Sequence, residues 1–92
     1  MNRSWLDKTL KQKGISLNML RREHHFSPDT LSSWEGGKAA KPATVRRLAS
    51  ILGIEMAELV RELGIRLLRR GQPLDRKQSV ELAAKLSVGE WE

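Results

Sequence analysis

The chain contains no cysteine and no tyrosine, and only one phenylalanine and three tryptophans among its 92 residues. Without cysteine there is neither a disulfide framework nor a thiolate zinc site, which suits a reducing compartment. A glycine-rich phosphate loop is missing as well, because Gly36-Gly37-Lys38 lacks the flanking frame of one. With this inventory no catalytic apparatus and no cofactor are expected. The adjacent pair His24 and His25 has no third ligand at a useful spacing, so a metal site is not expected either. No apolar run approaches the roughly 20 residues that cross a bilayer, and the N-terminus has no apolar core of the signal-peptide kind. The expectation is a soluble, cytoplasmic protein with no membrane partner. Alternating strand patterns and hairpin turn pairs are also lacking, so the fold class expected is all-α. Ninety-two residues make about one compact domain plus a tail.

What the chain has in quantity is charge: 17 Lys and Arg against 11 Asp and Glu, a net +6. Residues 1–50 hold ten basic and four acidic side chains, whereas residues 51–92 hold seven of each. The whole excess therefore lies in the first half. A solvated basic face is one reading of this; a surface for a polyanion is the other, favoured where the charge coincides with a binding motif.

Residues 14–38, GISLNMLRREHHFSPDTLSSWEGGK, supply such a motif. Ser16 can accept a hydrogen bond from the unpaired N–H groups of a helix that starts at Leu17, and Ile15 before it can pack on Leu20. Ser27 repeats the device. Pro28 takes the first helical position, where its missing N–H costs nothing, and Phe26 can pack on Leu31. Only His24 to Ser27 separate the two helices, the short connection of a helix-turn-helix. Gly36-Gly37 stops the second helix, and Lys38 follows directly.

Three further helices complete a five-helix unit. The first is expected from about Ser4 to Lys13, with Trp5, Leu6 and Leu10 inward and Gly14 as its left-handed cap. Pro42 opens a fourth, whose Val45, Leu48, Ala49 and Leu52 form a buried stripe before Gly53, with Arg46 and Arg47 on the wet side. The fifth uses Ile54 against Leu59 as a third staple, takes Glu58 into its first turn and turns Met56, Leu59, Val60 and Leu63 inward. Ile65, Leu67 and Leu68 extend it past Gly64, with Arg66, Arg69 and Arg70 at its end, until Gly71-Gln72-Pro73 breaks it. A last helix from about Arg76 to Ser87 has Asp75 and Gln78 as its capping box and Val80, Leu82, Ala83 and Leu86 as its apolar side. Trp91 has no assigned place.

Over roughly residues 4–64 the chain resembles the lambda-repressor-like, or Cro/C1-type (XRE family), DNA-binding domains. The residues that carry the resemblance are Gly14-Ile15-Ser16, Leu20, Ser27, Thr30-Leu31-Ser32, Trp34-Glu35, Gly37-Lys38 and Leu48-Ala49 through Leu52-Gly53-Ile54. The turn region, about eighteen residues, also looks like the Ner-type regulators of transposing phages. The resemblance implies a prokaryotic or phage repressor, associated with the nucleoid, that binds an operator in double-stranded DNA as a homodimer. It implies a DNA-binding domain over residues 1–64 and a C-terminal helical extension over residues 65–92. The third helix would lie in the major groove with Pro28, Asp29, Ser32 and Ser33 toward the bases, and the second would lie across the backbone. Phosphate contacts fall to Ser27, at a helix N-terminus, with Lys38, Lys41, Arg21 and Arg22 around it. Ile15, Ser16, Leu20, Phe26, Leu31 and Trp34 are the anchors of the motif.

The chain departs from the family at three positions. Arg21 stands where alanine is usual: either its stem lies along the helix crossing with the head in water, or the helices sit further apart. His25 stands where glycine is usual, at a position that needs positive φ. Leu17 replaces a phosphate-contacting glutamine, as it does in the Ner-type pattern. The base-facing set also lacks the Arg, Gln or Asn of bidentate readout. These weak readers leave a second function open, that of an antitoxin or adaptor whose residues 65–92 bind a protein partner. The apolar side of the last helix discriminates between dimerisation and partner binding.

Overall fold

The computed structural model describes residues 2–87; Trp91 lies outside the described residues. Among the described residues six helices are formed, α1 (Arg3–Gln12), α2 (Leu17–Arg22), α3 (Pro28–Glu35), α4 (Pro42–Leu52), α5 (Met56–Leu63) and α6 (Arg76–Ser87), and a short two-stranded hairpin, β1 (Leu68–Arg69) with β2 (Gln72–Pro73), lies between α5 and α6. The protein is mostly helical, the first five helices being the helix-turn-helix unit expected from the sequence.

The caps explain the boundaries. Ser16 Oγ accepts from Met19 N–H at 3.1 Å and Ser27 Oγ accepts from Asp29 N–H at 3.2 Å. Each satisfies one of the orphan donors at a helix start. Asn2 does the same for α1, one residue earlier than expected, by accepting from Trp5 N–H. Where α1 ends, Gly14 adopts φ +68 and Ile15 N–H donates back to Leu10 O at 2.9 Å, the closing bond of a Schellman turn. Apolar Ile15 thus finishes α1 and precedes the cap of α2. Ile54 has the same double position between α4 and α5, its N–H bonded to Ala49 O at 3.0 Å.

One cluster of buried side chains joins all six helices, from Leu6 and Leu10 of α1 through Leu20, Leu31, Leu48 and Leu59 to Leu82 and Leu86 of α6. Trp5, expected inside, is only half-buried and packs on the rim of this cluster.

Residues 65–75 differ from the expected continuation of α5. Gly64 takes φ +66 and Ile65 N–H turns back to Val60 O at 3.2 Å, which ends the helix. Ile65 and Leu67 are buried in the common core rather than carried along a helix face. Between them and α6, Leu68 pairs with Pro73 and Arg69 with Gln72 in antiparallel register. The connection is Arg70-Gly71, with φ +52 and +79, the two positive values of a type I′ turn. Strands of two residues show no alternation in sequence, and Arg-Gly is not the usual Asn-Gly signal; hence the hairpin was not expected.

The hairpin is tied into the domain at both ends. Ala40 N–H donates to Arg66 O at 2.7 Å and Leu68 N–H donates to Ala40 O at 2.9 Å, so the loop after α3 runs beside β1 as a parallel bridge. Arg66 Nε bonds Leu74 O at 2.9 Å. Full burial of a leucine such as Leu67 contributes about 2 kcal/mol.

Capped as expected by Asp75 and Gln78 in a reciprocal box, α6 packs on α5. Leu82, Ala83 and Leu86 face the core and Val80 is half-buried. The fully buried Ser79 joins α6 to the hairpin: its Oγ accepts from Leu67 N–H at 2.8 Å and donates to Asp75 O at 2.7 Å. Ser79→Ala leaves the buried Leu67 N–H without a partner and is expected to lower stability by about 1–3 kcal/mol in urea unfolding. The exposed Ser87, which makes the same backward bond to Ala83 O, is the control, and Ser87→Ala should change stability little.

Candidate nucleic-acid interface

Helix α3 is amphipathic over two turns. Leu31 and Trp34 are buried, whereas Asp29, Ser32 and Ser33 are exposed on the opposite side and Pro28 is half-buried at the first turn. The spacing of 29, 32 and 33 places these three side chains on one face. Trp34 is seated edge-on against Phe26, with ring centroids 6.0 Å apart and planes at 70°, one of the favoured aromatic arrangements. Phe26 N–H donates to Leu20 O at 2.8 Å. The anchor residues Leu20, Phe26, Leu31 and Trp34 therefore form a buried wedge between α2 and α3, with Ile15 half-buried at its edge and Ser16 exposed as a cap.

The turn between the helices is held from outside the motif. His25 adopts φ +54, a left-handed conformation that histidine enters more readily than most residues but still under strain. Arg47 of α4 meets the carbonyls of this turn: Nη2 donates to His25 O at 2.7 Å and to His24 O at 3.3 Å. The same guanidinium carbon lies 5.6 Å from the Phe26 ring centroid, within range of a cation–π attraction. Arg47 is on the outer side of α4, as expected, but it fastens the motif to that helix. The signal in the sequence is indirect, a long basic side chain on the border of a buried stripe and a turn whose carbonyls need donors.

The basic residues flank the α3 face. Ser27, Lys38 and Lys41 are exposed, as are Arg21 and Arg22 on α2. Lys38 and Lys41 share a shallow cleft with Thr30, Ser33 and Thr44, immediately beside the exposed side of α3. Arg21 Nη2 donates to Asn18 Oδ1 at 3.2 Å. Of the two arrangements open for Arg21, its head stays in water on its own helix. The acidic end of α3 is partly neutralised, because Glu35 lies 3.5 Å from Arg3 of α1, an exposed pair of small energetic weight.

Among the described residues no three His, Cys, Asp or Glu gather as a metal site. No helix among them is long and apolar enough to cross a membrane. The family model that describes the Cro/C1-type HTH DNA-binding domain matches residues 5–61, more than half of the chain. Comparison with curated proteins and with solved structures returns no match.

The Arg47 clamp has a direct test. Arg47→Met keeps the aliphatic stem and removes the donors, so it should lower stability by about 1–2 kcal/mol in thermal or urea unfolding. His25→Gly relaxes the positive φ and should raise stability by about 0.5–1 kcal/mol, measured the same way.

Proposed function

Because the chain belongs to the Cro/C1-type helix-turn-helix DNA-binding family, we propose that it is a transcriptional regulator that occupies an operator in double-stranded DNA as a homodimer and acts as a repressor. The observation that carries this reading is the exposed Asp29, Ser32 and Ser33 face of α3 with Lys38 and Lys41 against its side. In this arrangement α3 enters the major groove and α2 lies across the backbone. Ser27, Lys38, Lys41, Arg21 and Arg22 hold phosphates on either side of the groove. Asp29 accepts from a cytosine amino group, and Ser32 and Ser33 bond to whichever base edge is in reach.

None of these side chains makes the bidentate bonds that supply about 1–3 kcal/mol of discrimination each. Specificity then comes from two half-sites used together and from the sequence-dependent width and bendability of the duplex. With four phosphate-binding cations per protomer, a dimer should show a slope of log K against log salt of about −7. Work at the nucleoid, in the cytoplasm, follows from that partner. The second function, an antitoxin or adaptor, calls for an apolar stripe free to receive a partner. Leu82, Ala83 and Leu86 are instead turned onto the core, which speaks against partner capture through this stripe and leaves the contact between protomers to another surface.

The test is selection from a random-sequence duplex pool at several salt concentrations, with Lys38→Ala and Ser32→Ala beside the parent chain. Enrichment of two half-sites about 10 bp apart, or a multiple of that, supports a dimer on an operator. Lys38→Ala should weaken all sequences alike and flatten the salt slope by about 1 per protomer, whereas Ser32→Ala should alter the preferred bases. A steep slope with no enriched motif rejects specific recognition, and no binding at low salt rejects the DNA role.

A further inference from the structure

We propose that Arg3 is a positioning residue for DNA binding: by pairing with Glu35 it cancels a carboxylate that would otherwise repel the duplex from the end of α3. This rests on the DNA-binding reading above. Helix α3 is an unusual segment to bring to a groove walled by phosphates, because Pro28–Glu35 contains two acidic side chains, Asp29 and Glu35, and no Lys or Arg. Its own charge opposes the approach.

The two carboxylates differ in their surroundings. Asp29 lies in the first turn, where the positive end of the helix dipole offsets its charge, and a cytosine amino group is a donor that it can meet. Glu35 is the last residue of α3, and no basic residue shares its turn. The dipole is negative at that end, so the carboxylate adds to it. Glu35 follows Ser32 by three residues, which makes the two neighbours on the helix surface, and its side chain is 49% exposed. It therefore borders the face formed by Asp29, Ser32 and Ser33. Lys38 and Lys41 serve the other edge, in the cleft with Thr30 and Ser33.

The cation that meets Glu35 comes from another helix: Arg3 Nε lies 3.5 Å from Glu35 Oε2. Arg3 is the first residue of α1, and a helix N-terminus favours an anion there. Neither charge suits the end of the helix that carries it, and an exposed ion pair contributes little to folding. Departures from local preference of this kind concentrate at functional surfaces. What the pair does change is the potential along the Ser32 edge of α3. An uncompensated charge acts over about 10 Å at 0.1 M salt, a reach comparable with the roughly 12 Å width of the major groove.

A double-mutant cycle tests this on the full chain, with a mixed-sequence duplex followed by fluorescence anisotropy over a salt series and thermal unfolding measured for each variant. Arg3→Gln bares the Glu35 charge and should weaken binding about five- to tenfold at low salt, a deficit that shrinks as salt rises. Glu35→Gln leaves the Arg3 charge uncompensated and should bind more tightly than the parent. Arg3→Gln combined with Glu35→Gln carries no net charge at the pair, like the parent, and should regain the parent affinity to within about twofold. Unfolding temperatures should stay within about 3 °C of one another. If the double variant remains as weak as Arg3→Gln, Arg3 does not act through Glu35 and the proposal fails. It fails also if Arg3→Gln binds like the parent, or if its loss of affinity accompanies a lowered unfolding temperature that Glu35→Gln does not repair. If the parent chain binds no duplex at any salt, the DNA-binding reading itself is wrong and this inference falls with it.

Discussion

A connection of a few residues between two short helices leaves backbone carbonyls pointing out of the turn with no helix to receive them, and this requirement governs the arrangement of the first five helices. In the present protein the carbonyls of His24 and His25 are met by one guanidinium, that of Arg47. Because Arg47 belongs to α4, the bond does more than satisfy two acceptors. It sets the height of the turn over α4 and, through Phe26 beneath the same guanidinium, the position of Trp34. The outward face of α3 is fixed by what lies behind it: Leu31 and Trp34 can be buried only when Asp29, Ser32 and Ser33 face away. Strain at His25 is tolerable in this setting, since the surrounding bonds over-determine the turn.

Economy of residues is the second theme. A chain of 92 residues has a small core, and single residues serve two elements. Ile15 ends α1 and packs beside the start of α2; Ile54 does so for α4 and α5. Ser79 joins α6, the hairpin and the Asp75 cap through one hydroxyl. Such shared residues make the extension part of the same cooperative core instead of an appendage, because Leu67, Leu82 and Leu86 lie in the cluster that also contains Leu6 and Leu48.

The parts of this fold that were legible in the sequence are those set by local chemistry. The starts of α2, α3 and α4, the glycine exits of α1, α3 and α4 and the Asp75–Gln78 box each depend on residues within a few positions of one another, and the structure has them where the sequence implies. Contacts between distant segments were not legible. Arg47 reaches back more than twenty residues to the turn, and nothing in its neighbours names its acceptors. The hairpin carries no local signal, because its paired residues are few and because Ile65, Leu67 and Leu68 have the spacing of a helix as well as that of a buried strand. Gly64 decided between the two, by taking the left-handed conformation that ends α5. Spatial neighbours of this kind cross the charge division as well: Arg69 and Arg70 belong to the balanced half in sequence but line one cleft with Lys41.

On the proposed reading, this last point bears on how such a small domain chooses a sequence. Serine side chains at 32 and 33 are short, so the backbone of α3 can approach the floor of a groove closely, but they discriminate weakly among bases. Cations on both flanks of α3 then hold the two phosphate strands at a separation set by the frame, with Arg21 and Arg22 on one side and Lys38 and Lys41 on the other. A frame of fixed width favours duplexes whose groove already matches it, or bends to match at low energy, and penalises stiff sequences. Each cation added to one flank strengthens binding to every sequence, but it also raises the penalty for a groove of the wrong width, because more contacts are lost together. A turn clamped by Arg47 is therefore what shape reading needs, and a flexible basic arm in its place would increase affinity without increasing choice.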